Sequence, residues 1–348
     1  MENIQVIPGE DRGLVLEMPH SGYPRGLNAN WDPKGDFACN VESLDSAIRA
    51  NVRWIRGDGP PQENAQLLRT IIGGVDVGAP AASGALDFKG KYPLVYSKVP
   101  RAFVDVNFGR DDVGGAAALG AGEPRLANGG PIWTHSAIIA DSGRWEFFST
   151  VAKGLFGRAD SLPMLERPYT QEEFERIMSI YVDTYETAVR DRLGEKGIVA
   201  ALHTMPPNEV GTVKSGPNDG AFIIGPEVSG VGGSIWEIMN GKMPDVMLIS
   251  NGGKSCAPWI VDAIKGVFKD HNLIAIDGFG PMIGDRGGTV KYGKPDRDMH
   301  FLGIELIPRD LETGRIRSSL NINLVRAAVY RRVYRDVFAV LEECAGRL

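Results

Sequence analysis

Apolar runs of strand length alternate along this chain with segments of helical periodicity. Short, nearly continuous apolar runs predict buried strands, and they occupy 14–18, 197–202, 245–249, 273–276 and 301–306. Apolar residues spaced three and four apart predict helices, which begin at 41 and cover 63–72, 170–193, 258–270 and 323–344. Strands that alternate with helices over this length predict an α/β sandwich.

The segment 170–193 carries the clearest helical signal. Thr170 and Glu173 form a capping-box pattern, which satisfies backbone amides in the first turn of a helix. An apolar stripe marks the face that is expected to pack on the core, and it consists of Phe174, Ile177, Ile180, Tyr181, Tyr185 and Val189. Gly194 and Gly197 predict the end of this helix.

The predicted elements extend over the whole chain, so we expect a single α/β domain over 1–348. Three segments rich in glycine, proline or alanine interrupt these elements and predict irregular excursions. They lie at 57–94, 109–130 and 206–243.

Composition and charge narrow the class of protein. The net charge is −6 and no segment is rich in lysine or arginine, which argues against a nucleic-acid or anionic-membrane partner. No apolar stretch reaches the roughly 18 residues of a membrane span, and the N-terminus lacks the pattern of a signal peptide. Three widely spaced cysteines, Cys39, Cys256 and Cys344, favour reduced thiols in a cytoplasmic protein. A homo-oligomer is left open.

Two of the predicted strands lead into a histidine that is followed by a turn or by prolines. His20 comes just after the run 14–18, and His203 comes directly after the run 197–202. The carboxyl ends of parallel strands meet at one edge of a sheet, which is where such sheets bind ligands. Two imidazoles with a carboxylate can hold a catalytic zinc and leave an open coordination position. The pair therefore predicts a metal site; the alternative is two unrelated structural histidines.

Two acidic residues stand near the start of the predicted helix at 41. Glu42 and Asp45 are three residues apart and share one face of its first turn. Acids at this position commonly stabilise a helix through its dipole, by roughly a few tenths of a kcal/mol. This helix follows the strand and loop that carry His20, so either carboxylate could also be a third metal ligand. The pattern leaves both interpretations open.

A row of polar residues runs along the predicted strand at 100–107. Arg101, Asp105 and Asn107 alternate with apolar residues and would lie on one face. An edge strand that faces solvent would have this pattern. A pocket wall would have it too, with Arg101 binding a substrate carboxylate through two hydrogen bonds.

Glu305 interrupts the apolar run 302–307. A lone charged carboxylate inside a sheet is costly unless it is paired or hydrated. It could be paired with Arg309 or lie at a strand edge. It could equally be a general base that takes a proton from an attacking water in a metal site.

Several short motifs, taken in order, resemble the N-formylglutamate amidohydrolase family, whose fold is similar to that of zinc carboxypeptidases. Pro19-His20-Ser21-Gly22 resembles its opening motif, and 101–107 resembles its Arg-x-x-Val-Asp-x-Asn segment. Further similar segments lie at 131–133, 168–185, 202–205, 255–256, 287–293 and 300–306. The resemblance covers about 13–310 and implies a three-layer αβα sandwich around a mixed, largely parallel sheet.

The resemblance also implies roles for single residues. Zinc would be bound by His20, His203 and an acid of the 41–48 helix, where Asp45 matches the family better and Glu42 is the fallback. Glu305 would be the general base. The implied substrate-binding residues are Arg101 and Asn107, with Arg110 and Arg286 as further candidates for the substrate carboxylate.

Two departures from the family pattern affect the expected substrate. Phe108 stands where the family often has an arginine, and Gly284-Asp285-Arg286 replaces its usual Asn-Asp-Pro. We therefore expect a zinc-dependent amidohydrolase that cleaves the amide of a small N-acyl amino acid, with N-formylglutamate as one candidate. The alternatives are a zinc carboxypeptidase-type peptidase acting on short peptides and, from a different class, a metal-free binding protein on the same fold.

Overall fold

Seven strands of the described part of the chain form one mixed β-sheet. The computed structural model describes residues 3–10, 13–21, 23–24, 38–39, 46–52, 90–99, 101, 103–110, 112, 118–120, 130–134, 163–204, 244–277, 287–306 and 324–348. The seven strands are β1 (Ile4–Ile7), β2 (Leu14–Met18), β5 (Leu94–Ser97), β6 (Gly197–Thr204), β7 (Val246–Ile249), β8 (Ala275–Asp277) and β9 (Met299–Leu306). A separate pair consists of β3 (Tyr23–Pro24) and β4 (Ala38–Cys39).

The order of strands in the large sheet is β1-β5-β2-β6-β9-β7-β8. Strand β2 pairs in parallel with β5 and β6, and β9 pairs in parallel with β6. The pairing of β7 with β9 is antiparallel, whereas β7 and β8 are parallel. The predicted mixed, largely parallel sheet of an α/β fold is therefore confirmed. The strands β1 (Ile4–Ile7) and β5 (Leu94–Ser97) were not predicted.

Continuous burial explains why the central strands were readable as apolar runs. All five residues of β2 are buried, as are all residues of β9 after Met299. A strand covered on both faces is apolar at successive positions, unlike a strand with one hydrated face. Within this burial, the carboxylates of Glu17 in β2 and Glu305 in β9 are exceptions to the apolar pattern.

Gly197 lets β6 begin directly beside β2. Its φ angle is 147°, and a Cβ at this position would lie 2.4 Å from the carbonyl oxygen of Gly13. The amide of Ile198 donates to that same oxygen at 2.7 Å. Only glycine allows this close approach, which starts the β2–β6 register of Leu14 opposite Ile198.

The described helices are α1 (Ser46–Asn51), α2 (Gln171–Ile177), α3 (Thr184–Leu193), α4 (Pro258–Asp270), α5 (Gly288–Lys291) and α6 (Leu324–Ala345). Helix α4 begins with proline at its first position, where the missing N–H costs no hydrogen bond. Helix α6 packs against α4 and against β2 and β6. A hydrogen bond of 2.8 Å between His271 and Asp336 joins the end of α4 to α6.

The chain divides into two compact units, each assembled from distant segments. Unit 1 consists of Met1–Gln5, Pro19–Val75 and Ser97–Glu186, and unit 2 of Val6–Met18, Asp76–Tyr96 and Thr187–Leu348. The single domain over 1–348 stays a prediction. Within the described part of the chain, no helix combines the length and apolar character that crossing a lipid bilayer requires.

Several predicted segments lie outside the described residues. These are the short helix at 63–72, the first residues of the helix at 41, the excursion at 206–243 and most of those at 57–94 and 109–130. The described end of the first excursion differs from the prediction, because Leu94 already begins β5.

The capping box at Thr170 is confirmed, but the predicted apolar stripe is wrong at one position. Thr170 Oγ1 accepts from the amide of Glu173 at 3.2 Å, and the Glu173 carboxylate accepts from the amide of Thr170 at 3.0 Å. Between α2 and α3 the helix is π-helical over Met178–Asp183. This wider turn rotates the following positions, so Ile180 is 40% exposed while Met178 and Val182 are buried instead.

The predicted strand at 100–107 is wrong. The described residues from Arg101 to Asn107 form turns and irregular backbone. The Asp105 carboxylate accepts from the amide of Asn107 at 3.1 Å, which closes a local turn. The amide of Asp105 donates to Pro131 O at 2.8 Å, so its backbone is satisfied without a strand partner.

The capping box predicts the effect of Thr170→Ala on stability. Loss of the Thr170 hydroxyl leaves the amide of Glu173 without its acceptor, and the free energy of unfolding should fall by roughly 0.5–2 kcal/mol. Urea denaturation measures it. Thr187→Ala on the exposed face of α3 is the matched control, since no cap depends on it. Equal losses in the two variants would contradict the assigned cap.

Candidate active site

A buried carboxylate connects two of the predicted site residues in unit 1. His20 lies in the turn after β2, and its Nε2 is 2.8 Å from Asp105 Oδ1. Arg101 Nε lies 3.4 Å from the other oxygen of the same carboxylate. Asp105 has 0% exposure, so its charge is neutralised by these partners rather than by water. We call Asp105, His20 and Arg101 the Asp105 cluster.

The electrostatics of the Asp105 cluster favour an ionised carboxylate. Burial raises the pKa of Asp105. The charges of His20 and Arg101 and the hydrogen bonds from His20 and the Asn107 amide lower this pKa by more than burial raises it. The net pKa is below its ordinary value. An ionised carboxylate only accepts hydrogen bonds, so His20 Nε2 is the donor.

This direction of the hydrogen bond determines which ring nitrogen of His20 carries the proton. In the neutral imidazole the proton resides on Nε2, and the lone pair resides on Nδ1. Histidines that bind metals ordinarily have this arrangement, with one ring nitrogen on the metal and the other donating to a carboxylate. The surroundings of His20 therefore fit a metal ligand that coordinates through Nδ1.

Arg101 also contacts an aromatic ring. Its guanidinium carbon lies 5.1 Å from the centre of the Trp133 ring, which is within the range of a cation–π contact. The Arg101 side chain is 21% exposed, whereas its Nε is buried. The exposed surface therefore belongs to other atoms of the side chain.

In unit 2 the structure brings His203 and Glu305 together. They are directly opposite each other on the adjacent strands β6 and β9. His203 Nδ1 lies 4.0 Å from Glu305 Oε1, which is too long for a hydrogen bond but places the two groups side by side. Glu305 is 9% exposed. An imidazole and a carboxylate in this arrangement can supply a metal ligand and a base.

The remaining predicted site residues are placed as follows. Arg110 is paired with Glu175 and, at 2.6 Å, with Asp183. The hydrogen bond to Asp183, followed by that to Glu175, raises the pKa of Arg110. Asn107 is partly buried, and its backbone amide donates to the Asp105 carboxylate. Two carboxylates thus neutralise Arg110.

Three predicted residues, Glu42, Asp45 and Arg286, lie outside the described residues. Among the residues that are described, no group of three or more histidine, cysteine, aspartate or glutamate side chains could hold a metal ion. Both candidates for the third ligand of the predicted site, Asp45 and Glu42, therefore lie outside the described part of the chain.

Two other histidines have structural roles, and both belong to unit 2. His300 is buried, and its Nδ1 accepts from the amide of Ala257 at 3.2 Å. Burial lowers the pKa of His300, which favours the neutral ring that this hydrogen bond requires. His271 joins α4 to α6. His135 lies outside the described residues.

Two described cysteines, Cys256 and Cys344, are buried free thiols. Burial raises the pKa of Cys256 to about 12, so this thiol is not a nucleophile near neutral pH. Ser255 next to it donates through its hydroxyl to the carbonyl of Phe301 and is also structural.

Sequence reasoning did not assign a role to Asp105 or Trp133. Asp105 was interpreted as one of a row of polar residues on a strand, because polar and apolar residues alternate from 101 to 107 as they do in a strand. The signal that was available is the presence of an acid between Val104 and Val106, which are both buried. A carboxylate in such surroundings needs a cationic or N–H partner.

Comparisons with known proteins bear on the fold. No protein-family model matches the sequence, and no curated protein sequence is significantly similar to it. The structure is similar to the crystal structure of N-formylglutamate amidohydrolase from Ralstonia eutropha JMP134, with a TM-score of 0.62 and 18% sequence identity. That match covers 100% of this chain and 99% of the other.

A weaker match is to a gene product from Agrobacterium tumefaciens, with a TM-score of 0.44, 13% identity, and coverage of 98% of this chain and 97% of that chain. At 18% identity, the match to the Ralstonia eutropha structure establishes the architecture. This chain therefore has an α/β fold of the kind found in the Ralstonia eutropha amidohydrolase.

Proposed function

We propose that this protein is a zinc-dependent amidohydrolase that cleaves the amide bond of a small N-acyl amino acid. The observation that carries the proposal is the buried hydrogen bond from His20 Nε2 to the ionised Asp105. A histidine held in this way has its tautomer and orientation fixed for a metal on the opposite nitrogen. The similarity in fold to an N-formylglutamate amidohydrolase supports the reaction class.

The proposed zinc ligands are His20, His203 and Asp45, with Glu42 as the fallback for the carboxylate. Strands β2 and β6, which lead into the two histidines, are adjacent and parallel, and this supports the choice of these ligands. Two imidazoles and one carboxylate are a common ligand set of catalytic zinc. When bound, zinc would supply Lewis-acid chemistry, polarising the substrate carbonyl and making water a nucleophile near neutral pH.

Glu305 is the proposed general base. Its carboxylate lies beside His203 on the adjacent strand, and its low exposure limits competition from bulk water. It would accept a proton from the attacking water and deliver that proton to the leaving nitrogen of the amide. The strand β9 fixes its backbone, so the carboxylate needs little reorganisation during the reaction.

Arg101 is the proposed ligand of the substrate carboxylate, with Asn107 nearby in the same turn segment. Arg101 retains accessible surface while Asp105 and Trp133 hold its guanidinium. Arg110 is the second choice because Glu175 and Asp183 already neutralise it. Arg286 stays a further candidate, outside the described residues.

The reaction is tested with the purified protein and a substrate panel. We expect hydrolysis of one or more N-formyl, N-acetyl or N-succinyl amino acids, loss of that activity after chelation, and recovery with zinc. Release of the free amino acid measures turnover, and short peptides with free C-termini are the comparison. Cleavage of the peptides alone would favour a peptidase, and a zinc-free protein inactive on both sets would contradict the proposal.

The metal site is tested by zinc titration of variants of the proposed ligands and of Asp105. His20→Ala and His203→Ala should abolish tight zinc binding, because each removes a ligand. Asp105→Asn should weaken zinc binding by about 10- to 100-fold, because it removes only the group that orients His20. The same titration of Asp45→Ala and Glu42→Ala assigns the third ligand.

The control for the zinc titrations is His300→Ala, which removes a buried histidine from the same sheet without removing a proposed ligand. It should bind zinc like the wild-type protein when the data are normalised to folded protein. Near-stoichiometric zinc in dialysed His20→Ala and His203→Ala would contradict the ligand assignment.

The role of Glu305 is tested by Glu305→Gln, which preserves the shape of the side chain but cannot accept the proton. We expect kcat to fall by on the order of 10²–10⁴ while zinc content stays unchanged. Steady-state kinetics and metal analysis measure the two effects. Glu342→Gln on α6 is a control with the same substitution; a normal kcat in a folded, zinc-loaded Glu305→Gln would exclude the base.

A further inference from the structure

Trp133 is a large buried side chain to which no role has yet been assigned. It is 2% exposed, and its ring lies against the guanidinium of Arg101 at 5.1 Å from Cζ. Both residues belong to unit 1. The contact is therefore internal to one compact unit and directly adjoins the Asp105 cluster.

The backbone around Trp133 is held on both sides. On one side, Pro131 O accepts from the amide of Asp105 at 2.8 Å. On the other side, Thr134 O accepts from the amide of Met164 at 2.7 Å. All residues from 130 to 134 are buried. The ring consequently forms a fixed surface, and the guanidinium is the more adaptable partner.

The polar atom of Trp133 has no structural use in the described part of the chain. Its Nε1 is buried, and no described residue accepts a hydrogen bond from it. A buried donor without an acceptor costs stability, and phenylalanine would fill an apolar site without this cost. What tryptophan offers in return is the strongest cation–π surface among the aromatic side chains. The residue type thus points to the contact with Arg101.

Arg101 is held at two different places. Asp105 approaches its Nε, and the Trp133 ring approaches the guanidinium as a whole. Ion pairing alone leaves a long side chain several conformations, whereas a flat surface and a carboxylate together restrict the plane and the direction of the guanidinium. A bidentate contact to a carboxylate requires this kind of orientation.

We propose that Trp133 is a positioning residue that orients Arg101 for a free carboxylate of the substrate. This inference rests on the proposed function and adds to it a residue that orients the arginine proposed to bind the carboxylate of the N-acyl amino acid. Trp133 itself does not touch the reacting atoms. It acts by reducing the freedom that Arg101 would otherwise lose when the substrate binds.

A contact of this kind affects binding more than chemistry. Arg101 would hold the carboxylate equally in the bound substrate and in the transition state, because the carboxylate does not change charge during amide hydrolysis. Loss of such uniform binding raises KM and leaves kcat nearly unchanged. A general packing defect would lower the folded fraction without a selective change in KM.

The test compares Trp133→Phe and Trp133→Leu with N-formyl-L-glutamate as the probe, by steady-state kinetics and by calorimetric titration. Trp133→Leu should raise KM and Kd by roughly 2- to 30-fold, the range that a cation–π contact corresponds to. Its kcat and zinc content should remain close to the wild-type values. Trp133→Phe retains a ring and should show a smaller increase than Trp133→Leu.

A double-mutant cycle with Arg101→Gln isolates the coupling. If Trp133 acts through Arg101, Trp133→Leu has no further effect on Kd once Arg101 is replaced. Phe174→Leu, a buried aromatic-to-leucine change in helix α2 of the same unit, is the control; it should lower stability without changing KM.

The outcomes separate this inference from the proposed function. A wild-type protein that hydrolyses the probe, with equal KM for wild type and Trp133→Leu, overturns the role of Trp133 alone. Equal effects of Trp133→Leu with and without Arg101 overturn it too. A wild-type protein that neither binds nor hydrolyses the probe or any other N-acyl amino acid of the panel overturns the carboxylate contact proposed here. Binding without hydrolysis sinks the proposed reaction while the cycle still decides the role of Trp133.

Discussion

The buried carboxylate of Asp105 is the constraint on which the candidate site in unit 1 depends. A charge with no exposure to water is tolerated only if partners replace its hydration, and here His20, Arg101 and the Asn107 amide do so. Removing one partner of such a buried pair typically costs about 3–5 kcal/mol. The same contacts orient two side chains with different proposed tasks, one toward a metal and one toward a substrate anion.

The sheet and the turns divide the work of positioning. Strands β6 and β9 place His203 and Glu305 opposite each other through their backbone register. The described residues between Arg101 and Asn107 form no strand, and hydrogen bonds of Asp105 hold this segment instead. Rigid strands thus carry the proposed base, and a hydrogen-bonded turn carries the proposed anion ligand, with Trp133 restricting it.

Continuous burial made the central strands predictable, since most successive positions of β2, β6, β7 and β9 are apolar. The capping box at Thr170 was predictable because its hydrogen bonds are local. Ile180 was misplaced because a π-helical turn changes the helical period without a sequence signal. The predicted strand at 100–107 is wrong because strands and turns with buried acids share the alternation of polar and apolar residues. The pairing of His20 with Asp105 joins residues 85 positions apart, which no local pattern encodes.

Zinc coordination by His20 is tested by a crystal structure of the zinc-loaded protein, with anomalous data collected on both sides of the zinc absorption edge. We expect an anomalous peak at bonding distance from His20 Nδ1, with Nε2 still hydrogen-bonded to Asp105. A peak on Nε2 with the Asp105 contact broken would show that Asp105 does not orient His20 for the metal. Zinc that is bound in the crystal without His20 would contradict the role of His20 as a ligand.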